Sequence, residues 1–107
     1  MMQAEESQKC SIYEGEALVL EDQLVSIEHY APRQDDDRPL WAGIYMQAVS
    51  LEPQEVGAIY RLVAPDGREG RMRITRELPS VDYQWRWYRF DGMGELRWPL
   101  RRPNSST

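Results

Sequence analysis

The sequence predicts an all-β protein, a small single-domain antiparallel barrel or sandwich of about six to seven short strands built from hairpins. Three observations carry that expectation. Apolar and polar residues alternate at a period of two through most of residues 17–98, the pattern of half-buried strands. Turn-forming clusters recur at the spacing of short strands, about every 8–12 residues. No long stretch carries a helical period. The domain is expected to span residues 13–100, between a flexible N-terminal tail over 1–12 and a flexible C-terminal tail over 101–107.

Residues 1–12 are polar and aperiodic, the reason for reading them as a tail. Cys10 falls there. Its nearest charges in sequence, Glu5, Glu6 and Glu14, oppose thiolate formation. After Gly15, Ala17–Leu20 is a short apolar run, and Leu24–Tyr30 alternates again. Glu21-Asp22-Gln23 between them reads as a turn, giving two strands. The segment APRQDDDRP, residues 31–39, reads as a loop because its prolines exclude a continuous helix. Asp35, Asp36 and Asp37 are contiguous and lack the spacing of a calcium loop. A solvated acidic loop is therefore expected there, with no metal.

Leu40–Ser50 reads as a strand with apolar residues on both faces. Val56–Arg76 reads as a hairpin about Pro65-Asp66-Gly67, a type I turn with a left-handed glycine. Pairing Ala64 with Arg68 puts Leu62 opposite Gly70, Tyr60 opposite Met72 and Ala58 opposite Ile74, all facing the core. Arg61 then stands directly opposite Arg71 on the outer face. Like charges so placed destabilise a sheet, so Glu69, an acidic strand or an external anion should compensate.

Val81–Trp98 holds three of the four tryptophans. Asp91-Gly92-Met93-Gly94 has the chemistry of a type II′ turn, so this stretch reads as a hairpin. Val81, Tyr83, Trp85, Trp87, Leu96 and Trp98 then face the core, and Arg86, Tyr88, Phe90 and Arg97 face outward. The expected core adds Leu18 or Val19, Ile27, Trp41, Ile44, Tyr60, Leu62, Met72 and Ile74.

Charge is unevenly divided. Residues 1–56 carry three basic and twelve acidic side chains, a net of −9. Residues 57–107 carry ten basic and six acidic, a net of +4, leaving the chain acidic at −5. The simplest expectation is that acidic and basic strands pair across the sheet.

The inventory for catalysis is thin. His29, the one imidazole, alternates with Val25 and Ile27 as a strand residue does. One Cys and one His do not make a zinc site, and no phosphate-binding glycine motif precedes a helix. The expectation is a non-enzymatic protein without cofactors. No run of about 18 apolar residues exists for a membrane helix. Nor do the first residues form a signal peptide, and one cysteine makes no internal disulfide. A cytoplasmic protein is expected.

What remains is an arginine and aromatic face: Arg61, Arg71, Arg73, Arg86, Tyr88, Phe90 and Arg97. Arg and aromatic residues are enriched among interface hot spots. The expected function is protein–protein interaction, self or hetero, through this face. The alternative is single-stranded nucleic acid or another anion, with bases stacking on the aromatic rings. The negative net charge weighs against that alternative.

Overall fold

The computed structural model describes residues 4–30, 39–80 and 83–98. They form six strands and no helix: β1 (Ala4–Glu14), β2 (Ala17–His29), β3 (Trp41–Ala48), β4 (Ile59–Val63), β5 (Glu69–Leu78) and β6 (Trp85–Arg97). The strands close into a barrel in the order β1-β2-β3-β6-β5-β4. Each neighbouring pair is antiparallel, including β1 with β4. Closure leaves no free sheet edge. The all-β expectation holds, as a barrel rather than a sandwich.

Strand directions define two ends. The hairpin end carries the 64–68 turn, the ends of β2, β4 and β6, and the starts of β1, β3 and β5. The strap end carries the 15–16 turn, the 49–58 connection, the end of β5 and the start of β6.

The β4–β5 hairpin has the expected register. Tyr60 faces Met72, Leu62 faces Gly70 and Arg61 faces Arg71. Gly67 adopts φ 98°, as the turn requires. The Ala64 amide donates to Arg68 O at 2.8 Å, and the Gly67 amide to Ala64 O at 3.0 Å.

Three other expectations are corrected. Residues 4–12 are not a tail: β1 pairs with β2 along its length, and Cys10 and Ile12 are buried. The strand was illegible because residues 5–9 are all polar and its buried apolar residues, Cys10 and Ile12, fall near its end. Glu21-Asp22-Gln23 is not a reversal. The chain runs through it as β2, with Asp22 at φ 50° marking a bulge opposite β1. The bulge changes the parity of the buried side chains, from Leu20 to Val25 and Ile27. Both halves of one long strand thereby face the interior.

The third correction is the largest. Residues 85–97 are one continuous strand, not a hairpin. Its period of two is as expected but its faces are exchanged: Tyr88, Phe90 and Gly92 point inward and are fully buried. Tyr83 is 94% exposed, Trp98 61%, and Trp85 is also exposed. Of the rest of the expected core, Ile44, Trp87 and Leu96 are only partly buried and Leu18 is exposed. The pairing of β6 with β3 decides this, because Tyr88 is opposite Tyr45 and Phe90 opposite Gly43.

The interior packs around Trp41, Tyr45, Tyr88 and Phe90, with Ile12, Ile27, Leu62, Met72 and Ile74 filling between them. Trp41 meets Phe90 edge-on at 5.8 Å between ring centroids. The Trp41 indole also lies against Gly92, where a β-carbon would enter the ring, and beside Gly70, where one would lie 2.8 Å from Cζ2. Trp41 Nε1 donates to Gly94 O at 3.0 Å, at the bulge where β6 slips against β5. Val81, Asp82, the aspartate loop and the 101–107 tail lie outside the described residues.

The exchanged faces of β6 make a direct prediction. Phe90→Ala should cost about 3–5 kcal/mol in urea unfolding, whereas Tyr83→Ala should stay within about 0.5 kcal/mol of the parent. The reverse ranking would restore the hairpin reading.

Candidate functional site

The structure divides the expected binding face. Arg61, Arg71 and Arg97 come together near the hairpin end, lining an open groove of about 460 Å³ with Glu69, Gly70 and Met93. They converge because Arg61–Arg71, Arg71–Met93 and Glu69–Arg97 are register partners on the outer side of β4, β5 and β6. Arg73 is exposed one step further along β5, across from Asp91. Arg86 is elsewhere. It is half-buried at the strap end, with Nη1 3.9 Å from Glu77 Oε2 and Nε buried without a partner. Tyr88 and Phe90 are inside the barrel, so neither belongs to any surface. An inward side chain on β6 and an outward one differ by one residue of register, which the sequence pattern alone does not fix.

The repulsion expected between Arg61 and Arg71 is partly met. Arg61 Nη1 lies 3.1 Å from Glu69 Oε2, and its guanidinium sits 4.5 Å from the centre of the Tyr13 ring. Arg97 pairs with Glu95 at 3.2 Å. Among the described residues, Arg71 and Arg73 have no ion-pair partner. The pairs formed by described residues, Arg61–Glu69, Arg68–Asp66, Arg86–Glu77 and Arg97–Glu95, all lie within the basic half of the chain. None of these four pairs joins the acidic half of the chain to the basic half.

A second concavity, which the sequence reading missed, opens at the strap end. It has a volume of about 540 Å³ and is walled by Glu14 and Leu20 on one side and by the strap, residues 51–55, on the other. Tyr60 lies in its floor. The strap is held from inside the barrel. Gln47 is fully buried, and its Nε2 donates to Glu52 O at 2.7 Å. Gln54 Nε2 donates to Gln47 Oε1 at 3.0 Å, and the Gln54 amide donates to the Tyr88 hydroxyl at 3.1 Å. Burial raises the Tyr60 hydroxyl above its ordinary pKa, and Glu14 and Glu55 raise it further. Tyr45 is raised strongly, chiefly by burial and then by Tyr60 and Tyr88, and its hydroxyl has no hydrogen-bond partner. The sequence signal for this site was the polar Gln47 on an otherwise apolar face. It could not be read because its partner, the strap, had no predicted structure.

His29 lines a shallow recess with Tyr30, Leu40, Trp41 and Leu96. Among the described residues, no group of three or more His, Cys, Asp or Glu side chains is arranged to hold a metal ion. Among the described residues, no helix is long and apolar enough to cross a membrane. No family model, curated protein or solved structure matches this chain.

The tyrosines give a pH dependence with a definite sign. The unfolded chain's tyrosines ionise near pH 10, while Tyr45 and Tyr60 remain protonated in the barrel. The unfolded state therefore releases protons first, and stability present below pH 10 is lost as pH rises beyond it. Urea midpoints measured across that range should fall more steeply for the parent than for Tyr45→Phe.

Proposed function

We propose that this protein is a non-catalytic recognition module, binding an acidic protein segment or a second copy of itself through the arginine surface of β4, β5 and β6. One observation carries the reading. Arg61 and Arg71 are held directly opposite one another in a groove that also takes Arg97, and while Glu69 and Glu95 in that groove pair with Arg61 and Arg97, Arg71 makes no ion pair among the described residues. Such an arrangement weakens the sheet. A carboxylate-rich strand laid along the groove would supply the missing partners, and guanidinium groups bind carboxylates in bidentate fashion. The lone, buried Cys10 accords with a reducing compartment, and we place the protein in the cytosol.

Nucleic acid loses its stacking platform in this reading, since Tyr88 and Phe90 lie in the core. The arginines alone would offer phosphate contacts without base stacking.

The test uses a labelled glutamate-rich peptide as probe, read by fluorescence anisotropy. Replacing Arg71 and Arg73 together by Ser should weaken binding about tenfold or more and leave the unfolding midpoint unchanged or slightly raised. Equal affinity of parent and variant would refute the proposal. Tighter binding of an oligothymidylate than of the peptide would move the function to nucleic acid.

A further inference from the structure

The strap end differs from the rest of the barrel surface in two independent ways. The first is apolar exposure. Val49, Leu51 and Val56, all in the 49–58 connection, are exposed. Leu51 lines the cavity, and Val49 and Val56 belong to the connection that walls it, so these three side chains are its apolar rim. The second is charge. Glu14, Glu52 and Glu55 line the cavity, which has no basic residue in its lining. Glu16 lies beside Glu14 in the adjacent 15–16 turn.

Tyr60 also lines the cavity. The strap is fixed by Gln47 and Tyr88, so the cavity is preformed rather than assembled on contact.

We propose that this mouth is a docking site for a basic, amphipathic segment of a protein partner. One Lys or Arg side chain enters the cavity towards Glu14, Glu55 and the Tyr60 hydroxyl, and its apolar neighbours cover Leu51, Val56 and the rest of the rim. Charge complementarity selects a cationic occupant. The rim selects a polypeptide over a small cation, because a ligand confined to the cavity would leave those side chains exposed to water. A long Lys or Arg stem also suits a cavity with apolar walls and carboxylates at its edge. The site is separate from the arginine groove and stands without it.

The probe is a short labelled amphipathic Leu/Lys peptide, titrated into the full chain and read by anisotropy. It should bind, and Glu14→Gln with Glu55→Gln should weaken it about tenfold or more. Leu51→Ser with Val56→Ser should weaken it as well. Glu21→Gln with Asp22→Asn, which removes the same charge outside the cavity, should leave it unchanged. So should the Arg71/Arg73 double variant, which keeps this outcome distinct from that of the arginine groove. Circular dichroism confirms that each variant is folded. Equal weakening by the Glu21/Asp22 control would overturn the proposal, because only net charge would then be at work. A dimer in light scattering that Glu14→Gln/Glu55→Gln dissociates would overturn it too, by assigning the mouth to a second copy.

Discussion

The contact between the Trp41 indole and the backbone of β6 at Gly92 governs the rest of this barrel. Trp41 is fully buried at the start of β3, and its ring occupies the space that a side chain at position 92 would need. Gly70 gives the same ring room on the β5 side, and Gly94 O accepts its indole hydrogen at the bulge. Three strands are thus registered by one side chain. Once β6 is fixed there, alternation forces Phe90 and Tyr88 inward and sends Arg89 and Trp87 to the other side. Tyr88 in turn reaches the strap through Gln54. The shape of the mouth at one end therefore follows from a packing constraint near the other.

The same constraint distributes the charges. With the β4–β5 hairpin in its register, the outer arginines fall near the hairpin end, where Arg61 pairs with Glu69 and Arg97 with Glu95. Exposed pairs of this kind contribute little stability, about 0–1 kcal/mol each. At the strap end Glu14, Glu52 and Glu55 line the cavity beside Leu51.

How legible this was depended on how local the signal was. The β4–β5 hairpin could be read residue by residue, because Pro65-Asp66-Gly67 sets the turn and the turn sets the register. The same reasoning failed at Asp91-Gly92-Met93-Gly94. Two glycines there looked like a turn, but Gly92 is small to admit Trp41, fifty positions away in sequence, and Gly94 serves a bulge. Glu21-Asp22-Gln23 misled in the same way, since a bulge and a turn recruit the same residues. The arginine groove was partly readable because Arg61 and Arg71 belong to the legible hairpin. The mouth was not, because it is made by a connection without periodicity packed against β1, β2 and β4.

The central claim is that Trp41 and Gly92 are one energetic unit, and a double-mutant cycle measures it directly. Gly92→Ala should cost about 1–3 kcal/mol in the parent through overpacking, and much less when Trp41 has already been replaced by Leu, which vacates the ring's space. That coupling, read from urea unfolding of the four proteins, is the result the account predicts. If Gly92→Ala costs the same in both backgrounds, the ring does not hold β6 in register, and the inward assignment of Tyr88 and Phe90 would need another cause.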